Sequence, residues 1–296
     1  MSHCVAASWM AAAAVLALAT ASAAGQRGRP KGPPPKQVVY KSVGDVKLRL
    51  FVYAPEGHRT GDERPAIVFF FGGGWMGGTP RQFEPHARYL AARGMVAMTT
   101  EYRVKRRHGV EPFACLADAK SAMRYARSHA SELGIDPDRL AAGGGSAGGH
   151  LAAATAFVEG FDDPHDDQTV SPVPDALCLF NPVIDTTEKG YGARRLGDRK
   201  VAFSPVHHVA KGAPPAIVFH GTADKTVPFE NVQRFERRMK AVGGRCELMA
   251  FEGKGHGFFN YGRDRGEPYR ATVRAMDRFL ASLGWLEDEP TIEEPQ

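Results

Sequence analysis

The stretch that most constrains the fold of this chain is residues 141–150, whose sequence is Ala-Ala-Gly-Gly-Gly-Ser-Ala-Gly-Gly-His. Within it, Gly144, Ser146 and Gly148 form a Gly-x-Ser-x-Gly pattern, preceded by an apolar segment and followed by the helix-forming run 151–157. This order predicts a strand, a tight turn and a helix. Glycines two residues on either side of the serine let the strand and helix pass closely, and the turn presents the hydroxyl at the helix N-terminus.

The same pattern has a second interpretation that the residues alone leave open. A glycine-rich turn can carry a serine that merely caps the following helix. Gly-x-Ser-x-Gly is also frequent by chance, so the pattern by itself does not establish a nucleophile. The strand-forming and helix-forming flanks favour the catalytic interpretation.

The rest of the chain alternates between apolar runs and amphipathic segments. Residues 38–40 and 46–53 predict an opening hairpin around a Gly44-Asp45 turn. Further strands are expected at 66–71, 95–100, from Leu140, and at 176–180, 216–219 and 246–251. Helices are expected at 81–93, 111–133, 228–242 and 267–283, in addition to the helix after the serine turn. Repeated βα units of this kind predict a single α/β domain with a doubly wound, mostly parallel sheet.

The two ends of the chain differ from this domain. Residues 1–24 contain no charged side chain of Lys, Arg, Asp or Glu and predict a cleaved secretory signal, hence a secreted or periplasmic protein. A retained membrane anchor is the alternative, disfavoured because the apolar run is shorter than the ~20 residues of a span. Residues 25–36 predict a Pro/Gly/basic linker, 37–286 the folded domain and 287–296 an acidic, solvated tail.

The composition argues against nucleic-acid binding, a disulfide framework and a metal site. A net charge of +5 in 296 residues does not indicate nucleic-acid binding. Removal of the signal leaves Cys115, Cys178 and Cys246, an odd number without Cys-x-x-Cys spacing, so we expect buried thiols, with one disulfide and one free thiol as the alternative. The Asp-rich loop 159–175 could suggest calcium, but it lacks EF-hand spacing and predicts a solvated loop. We expect no metal and no cofactor.

Three loops after predicted strands carry residues suited to chemistry. The glycine run 72–78 would let backbone N–H groups approach a ligand, and it lacks the lysine of a phosphate-binding P-loop. Residues 220–228 contain Asp224, and residues 253–259 contain His256. Taken singly, Asp224 could be a turn or helix-cap residue and His256 a surface residue. Ligands of such sheets bind beyond the carboxyl ends of the strands, where these loops would converge.

The order of the three candidate residues adds to this argument. Asp224 follows Ser146 by 78 residues and His256 follows Asp224 by 32, which is the nucleophile–acid–base order of an α/β-hydrolase. His150 and His220 are alternative bases, but neither would leave the acid and the base on separate strands. Asp185 is the alternative acid.

The chain resembles the α/β-hydrolase esterases related to hormone-sensitive lipase and the bacterial acetyl- and feruloyl-esterase-like enzymes. The resemblance spans about residues 66–283 and rests on six motifs: 71–75, 101–103, 134–139, 144–152, 220–228 and 255–258. It implies that Ser146 is the nucleophile, His256 the base and Asp224 the acid. It also implies an oxyanion hole formed by the N–H groups of Gly73, Gly74 and Ala147.

Two departures from that family concern the site. Phe71 stands where the family usually has the histidine of His-Gly-Gly-Gly, so packing must hold the glycine loop instead. A signal, a linker and strands stand where relatives carry an N-terminal helical cap, which suggests a more open cleft. The excursion 185–209 is a candidate substrate-facing lid. We expect substrate contacts from Trp75, Tyr191 and Phe258.

The resulting expectation is a secreted serine carboxylesterase for short-acyl esters, with acetyl or feruloyl groups on a polysaccharide as a candidate substrate. A small-molecule or carbohydrate ester would be its partner, without nucleic acid or stable membrane association, and its oligomeric state is open. One alternative is a peptidase of the same fold, disfavoured because the residues before Ala66 are too few for a propeller domain. The other is a binding protein with a hydrolase fold and no activity.

Overall fold

The computed structural model of the chain describes residues 32–292. The expected signal and most of the expected linker lie outside these residues. The linker ends earlier than the sequence suggested, because Lys36 is already the first residue of a strand and lies opposite Val52 in the opening hairpin.

An eight-stranded sheet organises the described residues. Its strands are β1 (Lys36–Val43), β2 (Val46–Tyr53), β3 (Arg64–Phe70), β4 (Val96–Thr100), β5 (Ile135–Gly145), β6 (Ala176–Phe180), β7 (Ala216–Gly221) and β8 (Cys246–Phe251). They lie in the order β1-β2-β4-β3-β5-β6-β7-β8, with β1–β2 and β2–β4 antiparallel and all other pairs parallel. The predicted doubly wound, mostly parallel α/β sheet is confirmed.

Eight α-helices accompany the sheet within residues 32–292. They are α1 (Glu84–Ala92), α2 (Lys105–His108), α3 (Pro112–Ser128), α4 (Ala130–Leu133), α5 (Ala147–Phe157), α6 (Ala193–Leu196), α7 (Phe229–Ala241) and α8 (Glu267–Ser282). The helix expected at 111–133 is two helices, because His129 departs from helical geometry (φ −104°, ψ 25°) between α3 and α4. The helix expected at 81–93 begins as a 3₁₀ turn, and α1 starts next to Pro85, whose ring restricts the preceding residue.

The central strands are buried on both faces, as their continuous apolar sequences predict. Val68 and Val218 face the core packed under α3 and α5, whereas Ile67, Phe69 and Ile217 face the core packed under α1 and α8. Two separate cores therefore fix the central strands, and with them the loops at their carboxyl ends.

Much of the Asp-rich loop is exposed, but ion pairs attach it to the rest of the domain. Asp162 forms ion pairs with Lys120 (2.9 Å) and Arg124 (2.7 Å) of α3, and Asp163 forms one with Lys41 (2.6 Å) of β1. Nothing in the sequence indicated these ion pairs, because the basic partners are distant along the chain. Among residues 32–292 no group of His, Cys, Asp and Glu is arranged to hold a metal ion.

The C-terminal tail is likewise attached where it leaves the domain. The Arg93 guanidinium donates to the carbonyl oxygens of Glu287 (2.5 Å) and Asp288 (2.9 Å). Cys115, Cys178 and Cys246 are buried free thiols, which confirms the first of the two expectations for them. Within the described part of the chain, no helix has the length and apolar character needed to span a bilayer.

Candidate active site

The turn between β5 and α5 places Ser146 in a strained backbone conformation, with φ 56° and ψ −121°. Positive φ is costly for a residue with a side chain and is sustained here by its surroundings. The two flanking glycines are required by space. A Cβ on Gly144 would lie 2.5 Å from the backbone of Gly148, and one on Gly148 would lie 2.1 Å from the Phe70 carbonyl oxygen. The predicted strand–turn–helix around the serine is present.

A continuous chain of hydrogen bonds joins the three side chains predicted to act together. His256 Nε2 lies 2.9 Å from Ser146 Oγ, and His256 Nδ1 lies 2.7 Å from Asp224 Oδ2. The other carboxylate oxygen, Oδ1, accepts the backbone N–H groups of Thr226 (2.8 Å) and Val227 (3.0 Å). The carboxylate is thereby oriented towards the imidazole from the loop after β7.

The electrostatics of Asp224 favour its ionised form. Burial opposes ionisation, but the hydrogen bonds from His256 and from the N–H groups of Val227 and Thr226 outweigh it and hold the pKa of Asp224 below its ordinary value. An ionised carboxylate can keep a proton on the facing Nδ1 and so leave Nε2 free to accept one.

The alternative bases and acid are engaged elsewhere. His220 Nε2 lies 3.0 Å from the Val227 carbonyl oxygen, and His150 Nε2 lies 2.8 Å from that of Phe203. Burial lowers the pKa of His150 to about 4 and also lowers that of His220. Asp185 forms an ion pair with Arg234. The structure therefore brings together Ser146, His256 and Asp224 and leaves the other candidates out.

The glycine loop after β3 lies directly against the serine. A Cβ on Gly72 would lie 3.3 Å from the Cβ of Ser146. The backbone φ is 128° at Gly73 and 62° at Gly74, conformations that glycine adopts readily. Within residues 32–292, the N–H groups of these two glycines and of Ala147 donate to no protein acceptor. They remain free to bind an oxygen atom of a ligand.

Aromatic packing holds this loop where the related family usually has a histidine. Phe71 is buried and stacks on Tyr102, with ring centroids 4.0 Å apart, and the Tyr102 hydroxyl donates to the Phe71 carbonyl oxygen at 2.6 Å. Further along, the N–H of Lys105 donates to the carbonyl oxygen of Trp75, and that of Arg106 to the carbonyl oxygen of Met76, both at 3.0 Å. The usual histidine would donate a hydrogen bond from its side chain, whereas Phe71 accepts one at its carbonyl oxygen from Tyr102.

Comparisons with known proteins agree with this geometry. Residues 50–188 match the BD-FAE family, and residues 181–287 match the dienelactone hydrolase family. Esterase 2 of Thermogutta terrifontis is 50% identical, with 88% of this chain and 98% of that chain covered and a TM-score of 0.84. The chain belongs to the α/β-hydrolase esterases. Solved forms of the Thermogutta esterase include one phosphonylated by sarin and others with propionate or butyrate bound.

More distant α/β-hydrolases show the same likeness. Esterase LipC of Mycobacterium tuberculosis is 29% identical over 66% of this chain and 53% of its own length. Carboxylesterase NlhH of the same organism is 26% identical over 84% of this chain and 81% of its own length. The chain spans about half the length of the first of these relatives.

Sequence reasoning missed a polar bridge between the glycine loop and the histidine loop of this α/β-hydrolase. Gln82 Oε1 accepts the N–H of Gly72 at 2.6 Å, and its Nε2 donates to Asn260 Oδ1 at 2.9 Å. Asn260 Nδ2 in turn donates to the carbonyl oxygen of Gly257 at 2.8 Å, while buried Asn181 Oδ1 accepts the Gly257 N–H at the same distance. Single Gln and Asn residues form no motif, so the sequence held no signal for this bridge.

The excursion expected to be a lid covers the glycine loop. Arg195 Nη1 donates to the Gly74 carbonyl oxygen at 2.5 Å, and Nη2 donates to the Tyr191 hydroxyl at 2.9 Å. Of the three expected substrate contacts, Tyr191 is half-buried, whereas Trp75 is 1% and Phe258 2% exposed. A substrate could reach the latter two only if their neighbours moved, because Trp75 packs against His150 and Phe203 below the loop and Phe258 lies in the core under α8.

Proposed function

We propose that the protein is a serine carboxylesterase in which Ser146 attacks the ester carbonyl. The single observation that supports this most is the unbroken chain of hydrogen bonds from Ser146 Oγ through His256 to Asp224, at 2.9 and 2.7 Å. His256 Nε2 accepts the serine proton as the oxygen attacks and returns it to the leaving alcohol. A water molecule then hydrolyses the acyl-enzyme by the same route.

The proposed oxyanion hole consists of the N–H groups of Gly73, Gly74 and Ala147. Charge develops on the carbonyl oxygen in the transition state, and donors fixed before the reaction stabilise it most effectively. These donors lie on a loop in contact with the serine and at the start of α5, where the helix dipole adds to the effect. Asp224 holds the imidazole in the required tautomer and stabilises the imidazolium that forms.

We further propose that the acyl group is short and that the natural substrate is an acetylated or feruloylated polysaccharide. Propionate and butyrate bind the Thermogutta esterase, which supports a small acyl site here. The charge-free residues 1–24 support secretion, which would bring the enzyme to such polymers.

An ester panel tests the proposal against the two alternatives. We expect hydrolysis of p-nitrophenyl acetate and butyrate to exceed that of long-chain esters, and peptide anilides to remain intact. Preferential cleavage of anilides would instead indicate a peptidase. A fluorophosphonate probe should label the folded protein but not Ser146→Ala. A folded wild-type protein that neither labels nor turns over esters would be a binding protein.

A further inference from the structure

One guanidinium group beside the glycine loop has no acidic partner. Arg195 of α6 is half-buried and donates to two neutral oxygens, the carbonyl of Gly74 and the hydroxyl of Tyr191. Within residues 32–292 no carboxylate forms an ion pair with it. A partly buried charge without a counter-ion is unfavourable, so its retention beside a catalytic loop points to an anion that the protein does not itself supply.

The acidic residues of the same segment are already occupied. Asp185 forms an ion pair with Arg234, and Glu188 forms one with Lys200. The third, Asp198, is exposed and lies close enough to Lys200 to favour that ammonium group. Rearrangement of this segment would therefore have to break an existing pair to neutralise Arg195 with Asp185 or Glu188.

The geometry of Arg195 suits a planar anion. Its guanidinium carbon lies 5.2 Å from the ring centroid of Tyr191 and 5.7 Å from that of Trp75, so the aromatic rings restrict its orientation. Two of its five N–H donors are engaged by the protein, which leaves donors for another group. A guanidinium binds a carboxylate through two parallel hydrogen bonds, which neutral oxygens cannot match in strength.

We propose that Arg195 forms a subsite for a carboxylate carried by the ester substrate. This inference rests on the proposed esterase function and adds to it a preference for esters that carry a carboxylate. The carboxylate could belong to the acyl group, as in a half-ester of a dicarboxylic acid, or to the alcohol, as in an ester of a uronic acid. The common chemistry is a carboxylate bound next to Gly74 while the ester carbonyl lies at Ser146.

Matched pairs of substrates test this subsite. The acyl arm compares p-nitrophenyl hydrogen succinate with p-nitrophenyl pentanoate, and the alcohol arm compares p-acetoxybenzoate with p-acetoxybenzamide. For each arm the measured quantity is the ratio of kcat/KM for the anionic ester to that for the neutral one. In Arg195→Met we expect this ratio to fall by about tenfold in one arm, mainly through KM, the size of one charge-assisted hydrogen bond.

Two further variants separate a subsite from other roles of the charge. Arg194→Met removes the same charge from the neighbouring exposed residue and should leave the ratio unchanged. Arg195→Lys keeps the charge but not the planar fork, and its ratio should lie between those of wild type and Arg195→Met. An equal loss for anionic and neutral esters in Arg195→Met would show that Arg195 only supports the Gly74 loop and would overturn the proposal.

The remaining outcomes are also decisive. An equal fall of the ratio in Arg194→Met would show general attraction by the surface rather than a subsite. If the wild type hydrolyses the neutral esters and the ratio is the same in wild type and Arg195→Met in both arms, the subsite is refuted but the esterase function is not. Wild-type protein that hydrolyses none of the four esters would refute the esterase function itself.

Discussion

At the scale of single residues, the sequence predicted the three side chains that the structure joins by hydrogen bonds, but not the side chains that hold their loops. Ser146 could be found because it lies in a motif, and Asp224 and His256 because their order along the chain is characteristic. Gln82 and Asn260 could not, since their importance lies in partners that are 10 and 178 residues away. The sequence likewise suggested Trp75 as a substrate contact, although its ring is buried below the loop.

Removal of any of the three side chains in the hydrogen-bonded chain should abolish most of the activity. We expect Ser146→Ala and His256→Ala to lower kcat by roughly 10⁴-fold or more, because attack then lacks its nucleophile or base. Asp224→Asn should also be severely impaired, since an amide can stabilise the wrong tautomer. Steady-state kinetics with p-nitrophenyl acetate provide the measurement. Asp185→Asn should retain much more activity than Asp224→Asn, and the reverse ranking would reassign the acid.

The polar bridge should affect catalysis through the position of the glycine loop. In Gln82→Leu the N–H of Gly72 loses its acceptor, and we expect kcat to fall by about tenfold or more with little change in KM, as for loss of a transition-state interaction. Asn260→Asp keeps an oxygen that can accept from Gln82 Nε2 but loses the donor to the Gly257 carbonyl oxygen, so its kcat should lie between those of wild type and Gln82→Leu. Gln37→Leu, on the exposed face of β1, is the control and should not change kcat. A change confined to KM in Gln82→Leu would contradict this role.

At the scale of elements, periodicity located the strands and helices, while tertiary partners set their ends. The apolar runs at 66–71 and 246–251 correspond to β3 and β8 within two residues at each end. The break at His129 was missed because the residues on both sides are acceptable in a helix. The ion pairs of the Asp-rich loop were missed because their cations lie on α3 and β1, far away in the sequence.

The attachment of that loop should depend on pH. Burial opposes ionisation of Asp163, but the hydrogen bonds from Lys41 and His165 outweigh it and hold its pKa well below the ordinary value. A pKa lowered by folding stabilises the protein above the unfolded-state pKa of about 4, and this stabilisation is lost as the pH falls through the folded-state value. We expect Asp163→Asn to lower the free energy of unfolding by about 1–3 kcal/mol at pH 7.

Urea unfolding at several pH values would measure this effect. The difference between wild type and Asp163→Asn should narrow as the pH is lowered below about 4, because the wild-type carboxylate becomes protonated. The exposed Asp198→Asn should differ little from wild type at any pH. A difference that stays constant into acid would mean that the ion pair with Lys41 is not its source.

At the scale of the whole molecule, the alternation of strands and helices predicted the parallel sheet, and the sheet brings the three distant loops together. β5, β7 and β8 are parallel, so their carboxyl ends lie at one edge, and the loops that follow carry Ser146, Asp224 and His256. The number of strands and the place of the antiparallel hairpin beside β4 are set by pairing between distant segments, which periodicity alone does not encode.

The burial of the three thiols predicts their reactivity. Burial raises the pKa of the Cys246 thiol to about 12 and raises those of Cys115 and Cys178 further. We therefore expect none of the three to react with a thiol reagent such as Ellman's reagent in the folded protein, and all three to react in guanidinium chloride without prior reduction. In protein without residues 1–24, which contain Cys4, rapid reaction before unfolding would show an exposed thiol, and fewer than three thiols after unfolding would show a disulfide.

The polar bridge through Gln82 and Asn260 couples two loops of the candidate site without a contact to the proposed nucleophile, base or acid. The bridge joins the loop after β3, which carries Gly72, to the loop after β8, which carries Gly257. A displacement of one loop should therefore move the other. Substitutions near residue 260 should therefore change the position of Gly72, although the proposed nucleophile, base and acid are unchanged. Directed evolution of this protein should therefore find substitutions that alter the rate in the polar bridge as well as in the cleft.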